Sequence, residues 1–258
     1  KILTKKITMT LELPTVTAVC CDGTLDGNRR DKLVKIFETL KDKIKFGGGI
    51  KYFSHIDPKC EGIADYIHID PIVNGAEYSG FAIDTIPDHV ATDFAMIIHS
   101  DGFPINLHLW KPEFLKFDYI GSPWGVEANT YSHQYYNNQV EGGGGGFSIR
   151  SAKLMKLARM VIDKIEHPSK IRDRIASGQG CFNEDCYICY EIRHFLKQNG
   201  CIFAPYHLGK LFSLECNLDD GKNDITNVFG FHGHRHISFD QAIEILNTET
   251  NLKEHSQL

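Results

Sequence analysis

Short apolar runs and longer amphipathic stretches alternate along most of this chain. Thr15–Cys21 (TVTAVCC) is apolar and β-branched enough for a buried strand, and it runs into a turn at Asp22-Gly23. A helix is expected from Asn28 or Arg29 to about Lys43, because Leu33, Ile36, Phe37 and Leu40 recur on one face. Ile50–His55 reads as a second strand and Asp65–Ile72 as a short, alternating third. A helix over 75–86 should stop before Pro87, since the residue preceding a proline is pushed out of helical geometry. Phe94–Ile98 (FAMII) is the central strand, and it gives way to His99-Ser100-Asp101-Gly102. Strand alternating with helix predicts an α/β fold with a mixed, mostly parallel sheet flanked by helices.

The second half is less regular. Aromatic residues cluster at Trp110, Phe114, Phe117, Tyr119 and Trp124, and a polar loop follows over 125–140. Five glycines, Gly142–Gly146, precede a strand-like Phe147-Ser148-Ile149-Arg150-Ser151 and a helix expected over 152–165. Consecutive glycines ahead of a buried strand suggest close backbone approach to a ligand, against the plainer reading of a flexible loop. A helix opening at Phe182-Asn183-Glu184-Asp185 should run to Gln198 and stop at Asn199-Gly200. Cys201–Ala204 and Leu211–Glu215 read as further strands. If Phe229–His236 is extended, period two puts His232, His234 and His236 on one face. An amphipathic helix over Phe239–Leu246 closes a single domain spanning 14–246, between a polar lead-in at 1–13 and a polar tail at 247–258.

Composition narrows the function classes. At 258 residues with 42% hydrophobic and 24% charged side chains, the chain is an ordinary globular protein by content. A net charge of −5 with no basic face argues against a nucleic-acid partner. No apolar run is long enough to span a bilayer, so no membrane span is expected in this chain. The eight cysteines lack a zinc-ribbon pattern and are read as reduced thiols, consistent with a cytoplasmic address. The first residue is Lys1 rather than Met, which admits an excised domain of a longer protein.

Candidate chemistry gathers at a few points. Asp101 ends a central strand, where open α/β sheets bind ligands, and an acidic residue there can hold a divalent cation against a diphosphate. Asp22-Gly23 closes the first strand-turn-helix unit, whose turn backs onto a nucleotide in such sheets. The same turn resembles the first motif of haloacid-dehalogenase-type phosphatases, but Cys20 stands where the nucleophilic aspartate belongs, and that route is closed. Glu184 and Asp185 are either helix-capping acids or catalytic ones.

Taken together, the strand ending in an Asp-Gly turn, Phe117-Asp118-Tyr119-Ile120-Gly121-Ser122-Pro123-Trp124, the Gly-rich segment with its Phe-Ser-Ile-Arg-Ser, Asn183-Glu184-Asp185 and Phe229–Gly233 form a specific pattern. It resembles a little-characterised group of glycosyltransferase-like domains of GT-A type, over roughly Leu13 to Arg235. The resemblance implies a GT-A-like, Rossmann-like fold and transfer of a sugar from a nucleotide-sugar donor to a hydroxyl of a glycan, protein or small molecule. It implies Mn²⁺ or Mg²⁺ as cofactor, held by Asp101, with His99 in the place of the usual first aspartate and His232 completing the site. Gly145, Gly146 and Phe147 would border donor and acceptor, and His234 and Arg235 would supplement charge on the diphosphate, with Asp22 and Gly23 on the nucleotide side. Asp185 is the first choice of catalytic base and Glu184 the second, which with direct displacement implies inversion. Two rival classes stay open: a catalytically silent sugar-nucleotide or glycan binder, favoured by His99, and a metal-dependent hydrolase in which Asp22 matters.

Overall fold

The computed structural model describes residues 10–23, 27–124, 143–162, 183–216 and 224–248. The loop over 125–140, the ends of the chain and the polar connection at 172–180 lie outside the described residues. The strands are β1 (Leu11–Leu13), β2 (Val16–Asp22), β3 (Ile44–Phe46), β4 (Ile50–Ser54), β5 (Asp65–His68), β6 (Phe94–Ile98), β7 (Gly102–Pro104), β8 (Tyr119–Ser122), β9 (Gly144–Ser151), β10 (Ser213–Leu214) and β11 (Gly230–His232). The helices are α1 (Gly27–Leu40), α2 (Gly75–Asp84), α3 (Ala152–Ile162), α4 (Glu184–Cys186), α5 (Arg193–Gln198), α6 (Tyr206–Phe212) and α7 (Phe239–Thr248).

Six strands form the main sheet in the order β5-β4-β2-β6-β9-β8. The pairs β5–β4, β4–β2 and β2–β6 are parallel, whereas β9 runs antiparallel to both β6 and β8. This is the mixed, mostly parallel sheet expected from the alternation of strand and helix. Its central strands are apolar on both sides because both sides are covered. Ala18, Cys20, Met96 and Ile98 pack with α1 and α7 residues such as Leu33, Phe37 and Ile243. Val19, Ala95 and Ile97 point the other way, into a cluster with Ala82 of α2 and Met155 of α3.

The chain moves outward from β2 to β4 and β5, then returns across the sheet to β6. The strand order therefore reverses between β2 and β6, and a crevice opens at such a switch point, beyond the carboxyl ends of the strands. A second sheet, β10-β11-β7, lies beside this crevice; β10 and β11 are parallel and β7 is antiparallel to β11.

Several local expectations are revised. Gly144–Gly146 are not a loop before the strand; they are the first three residues of β9, buried throughout. The helix expected to run from Phe182 to Gln198 is α4, then a π-helical turn over Tyr187–Glu191, then α5 after a break at Ile192. Cys201–Ala204 contributes a single bridge, Tyr119 with Phe203, rather than a strand. Leu211 and Phe212 belong to α6, which leaves only Ser213–Leu214 extended. The strand carrying the histidines ends at His232, because Gly233 turns the chain with φ +81°. Cys20, Cys21, Cys60, Cys186, Cys189 and Cys201 are free thiols.

Candidate active site

The end of β6 sets the site. His99 and Gly102 exchange backbone hydrogen bonds of 2.9 and 3.1 Å, a tight turn that presents Ser100 and Asp101 at its tip. In the second sheet His232 pairs with Gly102, and the Gly233 N–H donates to the Asp101 carbonyl at 2.7 Å. Main-chain register thus brings two segments some 130 positions apart in sequence to one point. One ligand atom from each of His99, Asp101 and His232 lies within 4.8 Å of the other two. His232 Nε2 is 4.0 Å from Asp101 Oδ1, a separation that a single cation with bonds of about 2.0–2.2 Å can bridge. Two imidazoles and a carboxylate suit a borderline divalent ion.

Each imidazole of the triad has a close polar neighbour. The Tyr78 hydroxyl lies 2.6 Å from His99 Nε2. Burial, reinforced by neighbouring His232, brings the His99 pKa down to about 4, so the ring is neutral and free to ligate. Burial also opposes the charged form of His232, but the carboxylates of Glu215, Asp101 and Asp185 outweigh it and raise its pKa to about 9. The Glu215 Oε1–His232 Nδ1 approach is 2.9 Å, and it lies off the hydrogen-bond axis, so it is a close ion pair rather than an aligned hydrogen bond. Burial likewise works against an ionised Asp101, yet the imidazoles of His232, His99 and His234 hold its pKa below the usual value.

The cleft has two lobes that share Gly75, Tyr78, His99 and His232. The larger, about 560 Å³, lies at the switch point and is lined by Cys21, Gly23, Arg29, Lys32, Asp101 and His234. The smaller, about 350 Å³, is lined by Trp124, Gly146, Glu184, Asp185, Tyr190 and Glu215. Trp124 and Tyr190 stack there with centroids 5.0 Å apart and planes 19° from parallel.

The glycines of β9 form the floor between these groups. A Cβ on Gly146 would run into the His232 ring, one on Gly144 into the Glu215 carboxylate, and one on Gly145 into Glu184 and Asp185. The close approach expected for a ligand is made here by the protein's own side chains.

Glu184 and Asp185 are adjacent but differ in environment. Glu184 is buried and makes a 2.8 Å ion pair with Arg150, itself only 1% exposed. Burial penalises its charge, but Arg150 more than compensates and lowers its pKa. Asp185 accepts from the Gly145 N–H at 2.9 Å and the Cys186 N–H at 2.7 Å. Desolvation first, then the nearby Glu184 and Glu215 carboxylates, raise its pKa to about 7.

The remaining expected site residues are spread around this centre. Gly23 lines the larger lobe, whereas Asp22 is 3% exposed and is not part of either lobe. Phe147 is fully buried and stacks on Phe212 at 4.8 Å. His234 is on the rim of the larger lobe, and Arg235 is exposed outside both. Of the aromatic cluster, Trp110 packs on Phe114 and Phe229, away from the cleft. Tyr78, Arg150 and Glu215 were not singled out in the sequence. Tyr78 and Glu215 sit in no motif, whereas Arg150 lies in the Phe-Ser-Ile-Arg-Ser segment, where a charge within an apolar strand offers a signal.

The chain belongs to the family described as "Protein of unknown function (DUF5672)", whose sequence model matches residues 74–232. That span begins at the Asn74 cap of α2, ends at His232 and contains the whole ligand triad with Asp185 and Glu215. A comparison with curated proteins finds no match. Among solved structures the chain is similar to a glycosyltransferase involved in the glycosylation of the major capsid of PBCV-1, at 9% identity and TM-score 0.45, over 91% of this chain and 100% of that one. It is also similar to mouse xyloside xylosyltransferase 1, at 10% identity and TM-score 0.48, over 88% and 99% of the two chains. A third, the glycosyltransferase GlyE in Streptococcus pneumoniae TIGR4, is 11% identical with TM-score 0.37, over 95% of this chain and 61% of that one.

Proposed function

We propose that this chain is a glycosyltransferase of GT-A type that moves a sugar from a nucleotide-sugar donor to a hydroxyl acceptor with inversion. One observation carries the reading: a His-Asp-His cation triad and an aspartate with a pKa of about 7 face one cleft from its two lobes. The donor occupies the larger lobe at the switch point, where Arg29, Lys32 and His234 favour a diphosphate and Gly23 gives backbone access. A divalent cation on His99, Asp101 and His232 would act as a Lewis acid on the leaving diphosphate. The nitrogen-rich donor set fits Mn²⁺ better than Mg²⁺, which prefers oxygen.

The acceptor lies in the smaller lobe, with the Trp124–Tyr190 stack as an apolar wall for a sugar face. Asp185 takes the proton from its hydroxyl, and a pKa near 7 suits a base that works at neutral pH. Glu184 is unfit for that role because its charge is committed to Arg150. It holds the site's shape and keeps the pKa of Asp185 raised.

Thermal shift with UDP-, GDP-, CMP- and dTDP-sugars, each with Mn²⁺ and with EDTA, tests the reading. A ligand that binds only the folded state raises its stability by mass action. The expected result is a shift with one nucleotide class that is lost in EDTA. No shift with any nucleotide would overturn it.

A further inference from the structure

Glu215 has a place in the site that its lack of any motif conceals. It follows β10 directly, and β10 pairs with β11 in the register Ser213 with Gly230 and Leu214 with Phe231. Continued by one residue, that register sets Glu215 beside His232. Its Oε1 lies 2.9 Å from His232 Nδ1, while His232 Nε2 faces Asp101 Oδ1 at 4.0 Å. The imidazole thus has a carboxylate close against one nitrogen and the other turned toward Asp101.

Three glycines enforce this pose. A side chain at Gly146 or at Gly102 would strike the His232 ring, and one at Gly144 would strike the Glu215 carboxylate. Glu215 Oε2 is buried and makes no hydrogen bond among the described residues. An unpaired buried carboxylate oxygen costs stability, so a purely structural role would favour a neutral side chain here.

We infer that Glu215 is the positioning residue of the cation site: it fixes His232 with Nε2 presented to the ion and makes that nitrogen a better donor. The inference rests on the proposed cation triad. A carboxylate behind a ligating imidazole orients the ring and raises its basicity, and losing such a partner typically costs about 10–100-fold in metal affinity. Glu215 itself does not touch the ion, and it is distinct from the base, Asp185.

Mn²⁺ titration of the whole chain, followed by the electron paramagnetic resonance signal of free Mn²⁺, tests this without any turnover. Wild type is compared with Asp101→Asn, Glu215→Leu and the isosteric Glu215→Gln. The expected result is tight binding by wild type, loss in Asp101→Asn and a Kd about 10–100-fold higher in Glu215→Leu. Glu215→Gln, which keeps the shape and an acceptor, should weaken binding by a smaller factor and broaden the spectrum of bound Mn²⁺. If Glu215→Leu does not fold, Glu215→Gln alone decides: a Kd and a bound-ion spectrum equal to wild type overturn the inference. Unchanged Kd values in the Glu215 variants, with Asp101→Asn still defective, overturn the inference and leave the triad standing. Binding indifferent to Asp101→Asn, or absent from wild type, removes the triad and the inference with it.

Discussion

The two lobes of the cleft share the rings of His99 and His232 and differ in nearly everything else. The larger is lined by the cations Arg29 and Lys32 of the first helix, with His234 from the turn after β11. The smaller collects carboxylates, Glu184, Asp185 and Glu215, over a floor of glycines. The buried Arg150 beneath it is already taken by Glu184, and His232 is paired with Glu215. Under the proposed function the two fields divide the work: one side would attract a leaving diphosphate, while the other keeps one carboxylate reluctant to ionise. That difference is what a base and a leaving-group site require of each other.

The sharpest way to break the comparison is Asp185→Asn. Loss of a general base typically costs about 10²–10⁴-fold in kcat, and that fall is expected here with little change in donor affinity. Stability should move the other way. The folded pKa of Asp185 is raised from 3.8 to about 7, so its contribution is fully present below about pH 4 and is lost as pH rises through 7. At pH 8 the Asn variant should therefore melt above wild type, a gain that calorimetry in EDTA would register. A variant both inactive and less stable would point to a structural role instead.

Arg150→Met attacks the carboxylate lobe from beneath. Removing one partner of a buried pair strands the other charge, and a loss of about 3–5 kcal/mol is expected in urea unfolding. A loss below about 1 kcal/mol would mean that Glu184 is readily neutralised and that the field of this lobe is weaker than described.

The pH profile gives a finer comparison. With Asp185 as base, kcat/KM should fall about tenfold per unit below pH 7. A flat profile down to pH 5 would remove Asp185 from the proton transfer.

The smallest effect belongs to the cationic lobe. Arg29→Ala combined with Lys32→Ala should raise the donor KM by roughly fivefold, about 1 kcal/mol, and leave kcat unaltered. A fall in kcat alone would place these side chains in the transition state rather than in donor capture.

Legibility in the sequence followed locality. β2, α1 and β6 are local patterns, and their apolar positions fall where periodicity puts them. Gly144–Gly146 were harder, because glycine is depleted in strands and nothing nearby announces that four site side chains must rest on them. The alternation of His232, His234 and His236 suggested one face of a strand, but Gly233 ends the strand first and only His232 joins the triad. Glu215 and Tyr78 were invisible for another reason. Their roles arise from sheet register and helix packing across long sequence separations, which no short motif encodes. Asp101, His99 and Asp185 could be picked out because strand ends and helix starts are themselves readable positions.

The π-helical turn at Tyr187–Glu191 has a consequence for design. Such a turn takes one more residue per circuit than an α-helix does. It works as a phase shifter between Asp185, one turn earlier, and the helix that follows. Deleting one residue within it would restore regular winding at little cost to the backbone, yet swing Tyr190 by about 100° off its stack on Trp124. The proposed acceptor wall could thus be retuned by changing chain length alone, with Asp185 and the rest of the proposed chemistry unaltered in kind.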